Sequence, residues 1–246
     1  MRPRVLCIGG SDSGGGAGLA RDIATATGMG AHACIAVTAV TAQTDAGVLA
    51  SHPVPPETVA AQIRAAGRVD AVKIGMLASA AIVEAVAAAL PQAPVVLDPV
   101  LASSSGHPLL DPPGVAALLR LLLPRVTLLT PNLPELQALT TPGLEAAQVQ
   151  TLRDRGCAAV LVKGGHAETA DCEDRLYAAR RGPHCYSGPR YPASLRGTGC
   201  TLASAIAVAL ARGEPLPRAI GTARDVLRAR FTEAASVDKP PPNPDP

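Results

Sequence analysis

Residues 9–18 read GGSDSGGGAG and follow directly on the apolar run VLCI at residues 5–8. A strand that enters a glycine-rich loop is typical of α/β proteins that bind phosphate groups. Two familiar phosphate-binding patterns nevertheless fail here. In the P-loop register that begins at Gly10, Gly16 stands where the pattern requires lysine. In the dinucleotide register Leu19 replaces the last glycine, so the role of this loop has to be decided from the rest of the chain.

The rest of the chain alternates short apolar runs with Ala- and Leu-rich stretches of helical length. Strands that alternate with helices imply β-α-β units and a mostly parallel sheet. The apolar runs are continuous, which indicates that helices cover both faces of the sheet. We therefore predict an α/β fold. The predicted strands span residues 5–8, 34–40, 71–74, 95–97, 127–129 and 159–162, and the predicted helices span residues 18–27, 56–66, 79–90, 114–122, 133–139, 144–155, 200–212 and 216–234.

Two regions interrupt this alternation, and one segment ends it. Residues 44–55 and 171–193 contain turn residues and short β-like pieces, which predict edge strands or flaps. No linker divides the chain, so we predict a single domain over residues 1–238. The proline-rich segment 239–246, KPPPNPDP, cannot form a helix and is expected to be disordered.

Composition excludes several classes of protein. Hydrophobic residues make up 48% of the chain, yet no charge-free apolar run is long enough to span a membrane, and no signal peptide is visible. The net charge of +2 and the absence of tryptophan argue against nucleic-acid binding. The six cysteines contain no C-x-x-C pair, so a zinc knuckle or thioredoxin motif is not expected. We expect a cytoplasmic protein without nucleic-acid or membrane partners.

Polar, glycine-rich or charged residues follow all six predicted strands. In an open parallel sheet, ligands bind at the carboxyl ends of the strands. The residues that follow the strands are therefore candidates for one site. They read GGSDSGGGAG, Thr41-Ala42-Gln43, Gly75-Met76, Asp98-Pro99, TPNLPE and KGGH in chain order.

The sharpest signal lies late in the chain, where Arg196-Gly197-Thr198-Gly199-Cys200-Thr201 opens a helix. Backbone N–H groups at a helix start are free to bind an anion, and the helix dipole adds to the attraction. Residues 197–200 therefore predict an anion hole for a transferred phosphoryl group, although a plain helix entry stays open. A helix N-terminus also lowers the pKa of a thiol, which makes Cys200 a candidate proton acceptor or nucleophile.

Three further residues suit phosphate chemistry. Lys163 leaves a strand into Gly164-Gly165 and could reach phosphate oxygens. Asn132 and Glu135 in TPNLPE could hold Mg²⁺ directly or through water. The alternatives are a surface lysine and a glutamate that balances a helix dipole. The shared position at strand ends favours the functional interpretation.

These motifs together resemble a known family. GGSDSGGGAG, Thr41-Ala42-Gln43, VKIGML, LDPV, TPNLPE, VKGGH and RGTGCTLASAIA occur in the order found in the hydroxymethylpyrimidine/phosphomethylpyrimidine kinases of thiamine biosynthesis. The resemblance runs from about Val5 to Ile220 and implies a ribokinase-like three-layer α/β/α sandwich. GTGC is its most specific part, because sugar kinases of the superfamily place Asp at the position of Cys200.

The resemblance implies roles for the candidate residues. It places the first glycine-rich loop, with Gly10, on the acceptor side, and the phosphates against the GTGC helix. It implies that Asp22 and Gln43 hydrogen-bond the aminopyrimidine, with Met76 beside the ring. Gln43 suits this task because its amide offers a donor and an acceptor side by side.

The resemblance also implies an ATP-dependent, Mg²⁺-dependent kinase of a small pyrimidine, expected to be a homodimer. It assigns Asn132, Lys163 and Thr198 to ATP, and Glu135 and Asp98 to the metal. Cys200, Gly197, Thr198 and Gly199 form the catalytic group.

The chain departs from the family pattern at two places. Leu195-Arg196 replaces the usual Thr-His before GTGC, and LASSSG after LDPV lacks the usual lysine. A pyridoxal or pyridoxine kinase remains an alternative, because pyridoxal also carries a hydroxymethyl group on a flat ring. A non-catalytic pyrimidine-binding protein is a second alternative, against which the intact Cys200, Lys163 and Glu135 argue.

Overall fold

A computed structural model describes residues 2–44, 46–103, 105–166, 171–178, 182–191 and 195–237. The expectation of disorder for residues 239–246 lies outside this described part of the chain. Within the described residues, no helix is long and apolar enough to cross a membrane.

A mixed sheet forms the centre of the molecule, and nine strands belong to it within the described residues. The six central strands run parallel, and antiparallel strands flank them at both edges. The prediction of a mostly parallel sheet is confirmed. The strand order is β3-β2-β1-β4-β5-β6-β7-β8-β9, with β1 Arg4–Asp12, β2 His32–Thr44, β3 Gly47–Pro53, β4 Ala71–Ile74, β5 Val95–Leu97, β6 Leu128–Leu129, β7 Val160–Val162, β8 Asp171–Tyr177 and β9 His184–Pro189.

Helices cover both faces of this sheet. Within β1, Leu6 and Ile8 join one apolar core and Val5 and Cys7 join the other, since successive side chains of a strand point to opposite faces. This burial on both faces explains the continuous apolar strands. The α-helices are α1 Gly18–Gly28, α2 Pro56–Ala65, α3 Ala80–Ala89, α4 Pro112–Ala117, α5 Leu133–Leu139, α6 Glu145–Asp154, α7 Thr198–Ala211 and α8 Leu216–Val237. Members of α1, α7 and α8 pack in one core, and members of α2 to α6 pack in the other.

Most predicted elements are confirmed, with differences at their ends. The helix predicted over residues 114–122 begins at Pro112, and its second half is a π-helical segment over Leu118–Leu122. The first two strands extend beyond their predicted ends, so the first half of the glycine-rich motif and all of Thr41-Ala42-Gln43 lie within strands. The predicted edge regions contain β3, β8 and β9.

Candidate active site

All twelve residues that the sequence nominates line one cavity of about 1010 Å³. The cavity lies where the carboxyl ends of the parallel strands meet the first turn of α7. Its volume is at the upper end for small-molecule sites, enough for more than one ligand. The twelve are Gly10, Asp22, Gln43, Met76, Asp98, Asn132, Glu135, Lys163, Gly197, Thr198, Gly199 and Cys200.

The buried carboxylate of Asp12 organises the glycine-rich loop. It accepts hydrogen bonds from the N–H groups of Gly14 (2.9 Å) and Ala17 (2.8 Å). It also pairs with Arg196 at 2.8 Å. Two of the loop's N–H groups are therefore already committed to a side chain, so the loop offers fewer donors to a phosphate than its glycine content suggests.

Two glycines of this motif permit close packing. A Cβ at Gly10 would lie 2.7 Å from Sδ of Met76. Gly18 has a φ of +55°, and a Cβ there would lie 2.4 Å from the carbonyl oxygen of Gly10. Only glycine fits the backbone contact and the left-handed φ at Gly18, whereas a side chain at Gly10 would require Met76 to move. These glycines bring the strand end, the loop and Met76 into one wall of the cavity.

The start of α7 presents backbone donors to the cavity. Gly197 is its N-cap with a left-handed φ of 71°, and no described side chain caps the helix there. The first intrahelical bond runs from the N–H of Thr201 to the carbonyl of Gly197 at 2.9 Å. The N–H groups of Thr198, Gly199 and Cys200 precede this bond, as the first donors of any helix do. This geometry suits an anion.

The expectation of a lowered pKa for Cys200 is wrong. Burial raises the pKa of its thiol above the ordinary value, and Asp22 and Asp98 add to the effect. The positive charge of Lys73 and a hydrogen bond from the N–H of Gly18 lower the pKa, but by less than burial and the two carboxylates raise it. Desolvation of a thiolate therefore outweighs the helix terminus, and Cys200 is a neutral thiol at neutral pH.

A lysine and two carboxylates lie beside this helix start. Lys163 Nζ lies 2.6 Å from Oδ1 of Asp98 and 3.6 Å from Oε2 of Glu135. Burial opposes the charge of Lys163, but the two carboxylates outweigh it and raise the pKa of the ammonium. A Cβ at Gly199 would lie 3.2 Å from Asp98 and 3.5 Å from Lys163. The first turn of α7 therefore contacts this cluster directly.

Asn132 and Glu135 have a structural task as well. The N–H of Glu135 donates to Oδ1 of Asn132, and the N–H of Asn132 donates to Oε2 of Glu135, both at 2.8 Å. This capping box starts α5, as the alternative interpretation of a helix-start glutamate anticipated. Burial raises the pKa of Glu135, although Lys163 opposes the shift.

The carboxylates fit a hydrated Mg²⁺ better than a fully protein-held metal. Among the described residues, no group of three or more His, Cys, Asp or Glu side chains could hold a metal ion by itself. Mg²⁺ commonly binds through one or two carboxylates, waters and substrate phosphates. Asp98 and Glu135 supply two such carboxylates beside the anion hole.

Gln43, Asp22 and Met76 line another part of the cavity. The hydroxyl of Ser13 accepts from the N–H of Gln43 at 2.8 Å and donates to its carbonyl at 3.1 Å, which fixes the backbone beside a β-bulge. Thr41 Oγ1 lies 3.4 Å from Oε1 of Gln43. Gln43 thus lines the cavity with its backbone fixed and its side-chain oxygen beside the hydroxyl of Thr41.

Asp22 is buried and already paired. Its Oδ2 accepts from Lys73 Nζ and its Oδ1 accepts from the hydroxyl of Ser204, both at 2.8 Å. A ligand hydrogen bond to Asp22 would therefore be a further contact to an organised carboxylate.

Sequence reasoning missed Asp12 and Lys73 as site residues and left Arg196 without a partner. The signal for Lys73 was present, because it is a charged residue inside the otherwise apolar strand AVKI. The partnership of Asp12 with Arg196 had no local signal. Their separation of 184 residues is closed only by the fold.

The lining of the cavity also includes an aromatic pair. Tyr191 and Phe231 stack with ring centroids 4.8 Å apart and an interplanar angle of 6°. On the same helix as Phe231, Arg230 donates to the carbonyl of Arg196 at 2.6 Å and to Thr201 Oγ1 at 3.1 Å. Helix α8 thereby supports the segment that opens α7.

Comparisons with known proteins agree on one family. Residues 12–241 match the family model described as phosphomethylpyrimidine kinase. The chain is 46% identical to the hydroxymethylpyrimidine/phosphomethylpyrimidine kinase of Mycobacterium bovis, over 93% of this chain and 90% of that protein.

Solved structures give the same result for the fold. The crystal structure of phosphomethylpyrimidine kinase from Clostridium difficile has a TM-score of 0.78 and 31% identity, covering 95% of this chain and 100% of that one. The pyridoxal kinase from Staphylococcus aureus in complex with AMP-PCP and pyridoxal has a TM-score of 0.83 and 27% identity, covering 94% and 88%. The ribokinase-like α/β architecture is confirmed.

Proposed function

The chain belongs to the phosphomethylpyrimidine kinase family, and we propose from this premise how its cavity carries out two successive phosphoryl transfers. The enzyme is an ATP-dependent kinase of thiamine biosynthesis. It phosphorylates 4-amino-5-hydroxymethyl-2-methylpyrimidine and then the resulting monophosphate. The observation that carries the site assignment is the start of α7, whose free N–H groups face the same cavity as Gln43 and Lys163.

The two transfers use different nucleophiles at one anion hole. In the first, the hydroxymethyl oxygen bonds to the γ-phosphorus of ATP, ADP leaves, and the hydroxyl proton is released. In the second, an oxygen of the monophosphate bonds to the γ-phosphorus of another ATP, and ADP leaves. That phosphate is largely ionised at neutral pH, because its second pKa is about 6. The N–H groups of Thr198, Gly199 and Cys200 would stabilise the charge of the transferred group in both steps.

The acceptor end would hold the pyrimidine ring. Gln43 and Asp22 would hydrogen-bond its polar edge, Met76 would pack on the ring, and the absence of a side chain at Gly10 would let the ring approach the backbone. The lining of the cavity by all four residues supports this assignment.

Replacement of Gln43 by alanine is expected to raise the pyrimidine KM about tenfold. Loss of one partner of a buried hydrogen bond costs about 1–3 kcal/mol, and the amide of Gln43 supplies paired hydrogen bonds in the proposed pose. The KM for ATP should stay unchanged and serves as the internal control. Steady-state kinetics with each substrate varied in turn would measure both, and an unchanged pyrimidine KM would remove Gln43 from the acceptor site.

The nucleotide end would hold ATP and its metal. Lys163 and Thr198 would contact phosphate oxygens, and Asn132 would contribute its amide. Asp98 and Glu135 would hold Mg²⁺ through oxygen or water, and the ion, when bound, would neutralise phosphate charge. The cluster of Lys163 with these two carboxylates beside α7 supports this arrangement.

The variant Glu135→Gln is expected to need more Mg²⁺ for half-maximal activity. A glutamine oxygen can still accept the capping bond from Asn132, so α5 should remain folded, while the negative charge is lost. A magnesium titration of initial rates, with circular dichroism as the folding control, tests this. Superimposable titrations for the variant and the wild type would place the metal elsewhere.

The variant Cys200→Ala is expected to slow both half-reactions by similar factors of less than tenfold. A thiol whose pKa is raised by burial is not a base at neutral pH, whereas the N–H of residue 200 remains in the variant. The pH profile of the first half-reaction should keep its shape between pH 6 and 9. Separate assays with pyrimidine and with its monophosphate measure the two factors. If only the first step slowed, by more than 100-fold, and its rate no longer fell at low pH, Cys200 would instead be identified as a thiolate base.

A single experiment tests the proposed function against the pyridoxal alternative. The pyridoxal alternative is worth testing because the chain shares its fold with a pyridoxal kinase. Purified protein is incubated with Mg-ATP and either the pyrimidine or pyridoxal, and the products are identified by mass. We expect pyrimidine monophosphate and then diphosphate. Exclusive conversion of pyridoxal would establish the alternative, and binding of the pyrimidine without any product would indicate a non-catalytic binding protein.

We further propose that residues 1–238 form one kinase domain and that two copies form a homodimer. The large apolar side chains of Ile35, Val40 and Leu49 are exposed on β2 and β3, where a second copy would cover them. A measured solution mass tests this. All six cysteines are unpaired, which supports the reducing cytoplasm as the compartment.

A further inference from the structure

Lys73 is a buried cation that the mechanism above does not use. It is the largest of the side chains with under 2% exposure and lies within β4, level with Cys7 of β1 and Val96 of β5. Withdrawing an ammonium from water is unfavourable unless a partner compensates for it. A charge at this position is therefore a candidate for a role in the site rather than in stability alone.

The surroundings of Lys73 are arranged around one ion pair. Its Nζ lies 2.8 Å from Oδ2 of Asp22, and the missing side chain of Gly75 leaves room for the ammonium, since a Cβ there would lie 2.8 Å from Nζ. Burial lowers the pKa of Lys73, but the nearby acidic groups outweigh it and raise the pKa overall. The titratable groups that act on the pair from the elements around it are Cys7 of β1, Cys200 of α7 and Asp98 after β5.

Asp22 connects this ion pair to the cavity. Asp22 and Lys73 both border the cavity, although their side chains are only 0% and 1% exposed, so the pair lies directly behind the cavity surface. The two oxygens of Asp22 are oriented by one donor each, Lys73 on one side and Ser204 of α7 on the other. An ionised carboxylate only accepts hydrogen bonds, whereas a protonated one also donates. The protonation state of Asp22 therefore decides which ligand groups it can bind.

We propose that Lys73 is a positioning residue for the acceptor substrate, which keeps Asp22 ionised and oriented so that it accepts a hydrogen bond from the amino group of the pyrimidine. This inference rests on the proposed function. Lys73 does not touch the substrate and acts only through Asp22. It is distinct from Lys163, which is paired with Asp98 at the phosphate end of the cavity.

The first test is the pH dependence of the pyrimidine KM in Lys73→Met. Burial raises the pKa of Asp22 above its ordinary value, and the charge and hydrogen bond of Lys73 oppose that shift. Without the ammonium the pKa of Asp22 rises further, so the carboxyl takes up a proton as the pH falls. We expect a KM at least tenfold above the wild type at pH 6.5 that approaches the wild-type value by pH 9, with kcat within threefold throughout. Ser204→Ala removes the other donor to Asp22 but keeps the ammonium. The hydrogen bond from Ser204 also lowers the pKa of Asp22, so this variant should show the same kind of inflection, but smaller and at lower pH than Lys73→Met.

The second test is a double-mutant cycle, which also applies when Lys73→Met does not fold. Asp22→Asn combined with Lys73→Met leaves no unpaired buried charge. If Lys73 acts only through Asp22, this double variant has the same pyrimidine KM as Asp22→Asn alone, within twofold. Calorimetry with the pyrimidine in the absence of ATP provides the same comparison for binding.

The outcomes separate this inference from the proposed function. A wild type that turns over no pyrimidine contradicts the function itself. If the wild type does turn over the pyrimidine, three results overturn the role of Lys73 alone. These are a pH-independent KM defect in Lys73→Met, an inflection in Ser204→Ala as large as that in Lys73→Met, and a further tenfold rise in KM in the double variant over Asp22→Asn. The expected pH inflection and the equal KM values support it.

Discussion

Replacement of Gly197 by alanine is expected to lower kcat of both transfers about 100-fold. Gly197 has a φ of 71°, and a Cβ there would lie 2.4 Å from the backbone oxygen of Gly16. The left-handed conformation costs an L-residue about 1–2 kcal/mol, and the contact would also push α7 away from the glycine-rich loop. A displacement of about 1 Å at a reacting centre can cost about 100-fold in rate. The anion hole and the acceptor loop would lose their alignment together.

The matched control is Gly213→Ala at the other end of α7. Gly213 has a φ of 81°, and a Cβ there has nothing within 4 Å. Both variants carry the same kind of backbone strain, but Gly197→Ala adds the contact with Gly16. Its Tm should therefore fall further than that of Gly213→Ala, and only Gly197→Ala should lose activity. Thermal unfolding and initial rates measure the two effects. Equal activity losses would mean that strain alone, and not the contact with Gly16, impairs the enzyme.

The variant Lys163→Met is expected to lower kcat by about 100- to 1000-fold, the range seen when one donor to a developing anion is removed. Lys163 is the cation that joins Asp98 and Glu135 at the helix start. Its removal takes positive charge away from the phosphates and leaves two carboxylates near one another. These two uncompensated carboxylates would repel the phosphates of ATP, so the KM for ATP should rise as well. The pyrimidine KM should change little, because Lys163 lies at the opposite end of the cavity from Gln43.

Arg120→Met is the control for the loss of one positive charge. Arg120 is exposed and pairs with the exposed Glu84 at 3.6 Å, away from the cavity. Exposed pairs of this kind contribute about 0–1 kcal/mol to stability, so this variant should behave as the wild type in rate and in Tm. Single-turnover measurements, with enzyme in excess over the acceptor and Mg-ATP saturating, isolate the transfer step. A Lys163→Met enzyme with wild-type kcat would exclude Lys163 from phosphate chemistry.

Cys200 shows where an inference from local sequence failed. Its position in the first turn of a helix is readable from GTGC, and a helix terminus by itself lowers a thiol's pKa. The desolvation of this half-buried thiol and the charges of Asp22 and Asp98 come from distant parts of the chain, and they raise the pKa instead. The sign of the shift depends on groups that no motif around Cys200 contains.

The glycine-rich loop illustrates the same limit in a different way. Its glycines indicate close backbone approaches, but they do not identify what approaches. The fold supplies Asp12 for two of its N–H groups, Arg196 for Asp12, and Met76 for Gly10. The two failed phosphate patterns correctly indicated that this loop differs from a P-loop.

The sequence by itself determined the alternation of strands and helices, the mostly parallel sheet and the set of candidate residues, because apolar periodicity and glycine positions are local properties. It also placed those candidates at strand ends, where a parallel sheet collects them at one edge. Only the tertiary structure decided the pairings, Asp22 with Lys73, Asp98 with Lys163 and Asp12 with Arg196. The partners lie 51, 65 and 184 residues apart, and charge interactions act through space, so their strength and sign are set by distance and burial in the folded chain.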